Sequence, residues 1–261
     1  MTYLSLAALA ASFIALPAAA AEFSTQEFNA ASKDPKAYTL DATTFAIERV
    51  GPAVNPVVID PPAAREESTA SLELAQIVNI GHKIWRIIAE NKPVVEVSAS
   101  YATALPANVK HWTSMGGWQP PAGEIYHMSA KNLYGIRVVD LRYQVMRTAG
   151  GNYRGVGKYL TAVTVTPLLV SVSPGYRFDL DASVPDASIV NVGTSESPVA
   201  AMTAQLSWRI RTAIKDIQGN CLYNLQGDGA LREIGGPFTN RGANAARSVA
   251  QSMGVTLRLE P

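Results

Sequence analysis

Few side chains in this 261-residue sequence are of the kinds that carry catalysis or hold metals, and their spacing decides what they can do. The three histidines, His82, His111 and His127, lack the helical spacing of a zinc site. Two of them lie between Leu105 and Tyr134, in company with Trp112, Trp118, Glu124 and Tyr126. We expect this segment to be one long connection. Connections of that length usually carry function, and exposed aromatic rings offer flat faces to a sugar, a peptide or a lipid headgroup. His111, Trp112, Trp118, Tyr126 and His127 are therefore the candidate partner-binding residues. The competing reading of Trp112 and Trp118 is a plug over the end of the fold, and a third reading joins His111, Glu124 and His127 around a metal ion.

Other chemistry-bearing residues point to structure. Asp179, Asp181 and Asp186 could offer oxygen ligands, but their spacing fits no calcium loop, so they read as solvated strand and turn carboxylates. The run Gly150-Gly151-Asn152-Tyr153-Arg154-Gly155-Val156-Gly157-Lys158 fails as a phosphate loop. Tyr159 stands where a hydroxyl residue would hold magnesium, and a strand pattern follows where a helix is required, so the run reads as a hairpin. No serine-hydrolase elbow and no assignable acid and base pair occur, so we name no catalytic residue, no metal ligand and no cofactor. Cys221 is the single cysteine and cannot form an internal disulfide. Its alternation with Tyr223 and Leu225 predicts a buried strand thiol.

The elements that must position these residues begin after an apolar leader. Leu4 to Leu16 is apolar throughout apart from two serines, Pro17 ends it and four alanines follow, as in a secretory signal peptide over residues 1–21 cleaved before Glu22. Residues 22–67, interrupted by Pro52, Pro56, Pro61 and Pro62, predict an extended arm, with an edge strand at Pro56 to Ile59. Ser68 to Asn91 predicts an amphipathic helix capped by Ser68 or Ser71, with Leu74, Ile77, Val78, Gly81, Ile84, Trp85 and Ile88 on one face and Pro93 as its stop. Gly81 on that stripe allows another element to approach closely. Beyond Pro93 the pattern is sheet: Val94 to Ala104, Ile136 to Arg147, Lys158 to Val172, Tyr176 to Val184 and Val199 to Ile214. In the last of these, Met202, Ala204, Leu206, Trp208 and Ile210 face inward, while Ser207, Arg209 and Arg211 face water. A short helix at Ala243 to Met253 and a strand at Val255 to Leu259 close the chain. The fold class is mainly β: an antiparallel sandwich or flattened barrel with one amphipathic helix packed on a sheet, all within residues 68–261.

A formal net charge of +1 argues against a nucleic-acid binder, and no segment is apolar enough for long enough to predict a transmembrane span in the mature chain. The address is secreted, periplasmic or extracellular. The expected function is a non-catalytic binding or structural protein that contacts a surface protein, glycan or lipid through the aromatic loop, with a homo-oligomer open to it. An amphipathic helix followed by a sandwich with tryptophan-bearing loops also resembles, in architecture alone, the actinoporin type of pore-forming toxin. That resemblance implies a membrane-active protein whose helix detaches and inserts, with Ile84, Trp85 and Ile88 as the membrane contacts. An extracellular enzyme of unknown chemistry is the second alternative.

Overall fold

A computed structural model describes residues 23–53, 73–94, 100–107, 109 and 111–239. Two antiparallel sheets form its body, with one α-helix, α1 (Thr25–Lys33). The first sheet runs β1 (Leu40–Pro52), β6 (Ala122–Asn132), β7 (Arg137–Tyr153), β8 (Val156–Val172), β5 (Ala102–Ala107) and β2 (Glu73–Val78). The second runs β13 (Leu231–Gly235), β12 (Asp216–Gln226), β11 (Ala200–Arg211), β9 (Arg177–Ser183), β3 (Ile84–Ala89) and β4 (Lys92–Pro93), with the short β10 (Val190–Asn191) also on β11. Backbone hydrogen bonds stitch the sheets at their margins, among them one from the Gly150 N–H of β7 to the Gly227 carbonyl just past β12. Ile47 donates its N–H to the Pro237 carbonyl and accepts from Thr239, and the Lys158 N–H donates to Pro198.

The period-2 alternation decides which side chains fill the space between the sheets. On β11 the inward set is Met202, Ala204, Leu206, Trp208 and Ile210, as the sequence predicts. Phe178 and Leu180 of β9 face the same interior, as do Val139, Leu141, Tyr143 and Val145 of β7. Strand β8 lies between β7 and β5; its residues 159–161 and 163–165 are buried on both faces, whereas Leu168 and Leu169 are exposed. Trp208 is 8 % exposed and stacks on Phe45 of β1 across the core, with ring centroids 4.1 Å apart. Gly219, opposite Trp208 on β12, is where that ring finds room: a Cβ there would stand 2.3 Å from the indole.

Two expected elements differ in the structure. Residues 73–89 are not helical but form β2, a bend and β3. The run Ile84-Trp85-Arg86-Ile87 is β-branched and aromatic, and Trp85 and Ile87 alternate inward against Ile84 and Arg86. Asn79 breaks the pattern by accepting from the backbone N–H of both Gly81 and Thr103. The close approach expected at Gly81 is real but belongs to that bend, where a Cβ would meet the Tyr101 carbonyl at 2.3 Å. Pro93 sits on the edge strand β4, where a missing N–H costs no ladder bond. The second difference concerns the arm. Residues 25–33 form the helix, started by a capping box between Ser24 and Glu27, and residues 40–52 form β1, paired with β6. The leader, the strand at Pro56 to Ile59, the caps Ser68 and Ser71, and the two C-terminal elements lie outside the described residues.

Cys221 is fully buried on β12, beside the Tyr223 hydroxyl, which is 2.7 Å from that of Tyr143. Burial pushes the thiol up to about 12 and raises both tyrosines in the same direction. The folded state therefore keeps a proton that the unfolded chain releases at an ordinary thiol value of about 8.5. Stability that is complete below that value falls as pH rises above it. A thiol reagent at pH 8 should leave the native chain unlabelled and label it stoichiometrically in denaturant; native labelling at the unfolded rate would contradict the burial. Trp208→Ala should destabilise the fold by about 3–5 kcal/mol through the cavity it leaves, and Arg209→Ala by less than about 1 kcal/mol. Equal denaturation midpoints for the two variants would contradict the facing of β11.

Candidate functional site

The expected aromatic connection is shorter than its sequence suggests, because residues 122–132 of it are strand β6. What remains is a segment with one 3-10 turn, Trp112–Ser114, packed on the tip of the β7–β8 hairpin. Gly116 and Asn152 exchange backbone hydrogen bonds, and Gln119 donates its N–H to Ala149. Trp118 meets Trp112 edge to face at 5.8 Å, donates its indole N–H to the Trp112 carbonyl, and lies over Gly151, where a Cβ would stand 2.2 Å from the ring. Both rings are half-buried against the core. The glycine-rich hairpin is thus a seat for Trp118, with Arg154 and Gly155 turning its tip at positive φ.

The remaining candidates separate. His111 turns its Nδ1 to the Thr113 hydroxyl at 2.7 Å. Tyr126 is fully buried between the sheets, where its hydroxyl donates to Glu233. His127 lies on the outer face of the first sheet, its Nε2 2.8 Å from Asp140. Burial would raise the Asp140 carboxyl, but the hydrogen bonds from His127 and Arg137 outweigh it and hold the carboxyl below its ordinary range. Glu124 is three residues from His127 and so on the opposite face of β6, where it pairs with Arg49 at 2.7 Å. His111, Glu124 and His127 therefore do not converge, and no group of metal-ligating side chains occurs among the described residues.

The membrane-contact candidates also fall apart as a set. Trp85 and Ile88 are core residues, and only Ile84, at 73 % exposure, faces outward. The helix that carried the pore-forming resemblance is absent from residues 73–89, and no helix among the described residues is long and apolar enough to cross a membrane. Asp179, Asp181 and Asp186 pair with Arg211, Arg86 and Lys83. They are ion-pair partners rather than calcium ligands.

The Asp179–Arg211 and Asp181–Arg86 pairs border a groove of 980 Å3 on the outer face of the second sheet. The register places Arg86, Asp181, Ser207 and Asn220 in one row across β3, β9, β11 and β12, and Asp179, Arg209 and Gln218 in the next. Asp179 accepts from Arg211 at 2.9 Å, with Glu90 4.0 Å from the same guanidinium, and Asp181 accepts from Arg86 at 3.1 Å. Arg209 forms a two-pronged pair with Asp216 that holds that carboxyl below its ordinary range. One wall is the β3–β4 turn, where Glu90 and Asn91 both have positive φ, 45° and 72°. Asparagine tolerates this conformation, whereas glutamate pays about 1 kcal/mol. Asp179 holds Glu90 there by accepting its N–H, and Asn91 is locked between Tyr176 and Phe178. Positive φ at both central residues is what a two-residue hairpin between Ala89 and Lys92 requires, and the bonds to Asp179, Tyr176 and Phe178 fix that turn against the sheet.

Compared with protein families, with curated proteins and with solved structures, the chain matches none. The groove is not legible in any single segment because its residues come from five strands, β3, β4, β9, β11 and β12, spread between residues 86 and 220. The available signal was the polar set alternating along residues 203–211 and 177–183, which carries more charge than a solvated face needs. Arg211 is the most enclosed cation there, its side chain 12 % exposed. Asp179→Asn should cost about 3 kcal/mol by leaving that enclosed guanidinium only Glu90, 4.0 Å away, whereas Asp181→Asn, whose Arg86 partner is exposed, should cost less than about 1 kcal/mol. Equal losses in thermal melts would contradict this account of the groove wall.

Proposed function

We propose that the chain is a non-catalytic binding protein, secreted or held in the cell envelope, and that it takes a surface partner in the groove of the second sheet. The observation that carries this reading is the polar groove itself, whose arginines are held by ion pairs and whose wall is a hairpin turn bonded to Asp179, so the shape of the site is set before any partner arrives. The aromatic segment is the weaker contact, since Trp112 and Trp118 spend much of their surface on each other and on the hairpin. Export rests on the apolar leader, Pro17 and the alanines that follow.

Two measurements test the reading. Mass spectrometry of the exported protein should find a chain starting at Glu22; exported material that starts at Met1 would contradict the leader. Ser207→Tyr, which fills the groove from an outward position, should abolish binding to envelope fractions with an unchanged melting temperature. Trp112→Ala with Trp118→Ala should lower the melting temperature first. Binding lost in that double variant without loss of stability, and kept in Ser207→Tyr, would move the contact to the aromatic segment.

A further inference from the structure

Resting on the groove as the binding site, we infer that its ligand is an acidic glycan, a hydroxyl-rich chain that carries a carboxylate. The groups left over once the ion pairs are made define this chemistry. Arg86, Arg209 and Arg211 each have a carboxylate partner, but Lys92, which lines the groove from β4, has none among the described residues. Lys92 is therefore the lining cation without an ion-pair partner among the described residues, on the same β3–β4 wall as Glu90, whose carboxylate lies 4.0 Å from Arg211. Across the floor, the side-chain amides of Gln218 and Asn220 have no partner among the described residues, and they stand two residues apart on the same face of β12. That repeat sets them about 6.8 Å apart. Each amide offers both donors and an acceptor, and the Ser207 hydroxyl stands beside Asn220 in the same row.

Such a lining suits hydroxyl groups, which need donors and acceptors together. It offers little to a protein partner. Protein interfaces draw their affinity from apolar and aromatic anchors in pockets, and here the aromatic in the lining, Trp208, is 8 % exposed. Strand addition is closed as well, because the groove lies on a sheet face whose backbone groups are already paired across β9, β11 and β12. A hydroxyl-rich body can hydrogen-bond to Gln218, Asn220 and the Ser207 hydroxyl, which accepts from Gln205 and keeps its own proton to donate, while its carboxylate meets Lys92.

The test is titration of the full chain with polygalacturonate, with dextran as the neutral arm and polyglutamate as the acidic peptide arm. Polygalacturonate should bind, dextran and polyglutamate should not, and added salt should weaken the complex. Lys92→Gln should weaken it about tenfold, and Asn220→Ala with Gln218→Ala should weaken it as much, both with unchanged melting temperature. Equal binding of polyglutamate would overturn the glycan in favour of an acidic peptide, and equal binding of dextran would overturn the role of Lys92. If none of the three binds while Ser207→Tyr still abolishes capture from envelope fractions, the glycan is wrong and the groove stands. If Ser207→Tyr has no effect on any capture, the groove itself is wrong.

Discussion

The register of β11 between β9 and β12 is the constraint on which the rest of the structure depends. Each residue of β11 is committed to one face, so the pairing of Trp208 with Leu180 and Gly219 sends the indole into the core and leaves Arg209 outside. A slip of one residue would exchange the two sets, placing arginines between the sheets and tryptophan in water. Core and groove are thus two faces of one registration. The cost of burying unpaired guanidinium groups enforces it as firmly as the gain from burying Trp208, Leu206 and Ile210.

The same registration links fold to function. Outward residues of three neighbouring strands fall into cross-strand rows, and opposite charges in adjacent rows neutralise one another without crossing the core. The β3–β4 turn is held onto this surface by Asn91 and Asp179, which gives a flat sheet face a wall. On the sheet side the ion pairs hold the arginines in place, and among the described residues the groups that stay free are the Lys92 ammonium and the amides of Gln218 and Asn220, beside a Ser207 hydroxyl that accepts from Gln205.

Legibility in the sequence followed the range of the forces involved. Strands with strict alternation, such as 200–211 and 177–183, were readable because burial on one face leaves a local trace. Cys221 was readable for the same reason. The segment 73–89 was misread because its apolar residues satisfy a helical period and a strand period together, and the deciding facts were the β-branched run at Ile84 and the breaks at Asn79 and Gly81. Helix α1 was concealed by an alanine-rich stretch, though its Ser24 and Glu27 spacing is a capping box. The inward direction of Trp118 could not be read from its own segment, since the cavity that receives it is made by Gly151 on a hairpin thirty residues on. The groove was illegible for a stronger reason: it exists only when β3, β9, β11 and β12 lie side by side.

The most direct test of the groove as a binding surface is backbone amide chemical-shift mapping while polygalacturonate is added to the full chain. The account predicts shifts confined to the β3–β4 turn, the outward positions of β9 and β11, and Gln218 to Asn220 of β12. Shifts centred on residues 111–121, or none anywhere in the second sheet while the ligand binds, would contradict it.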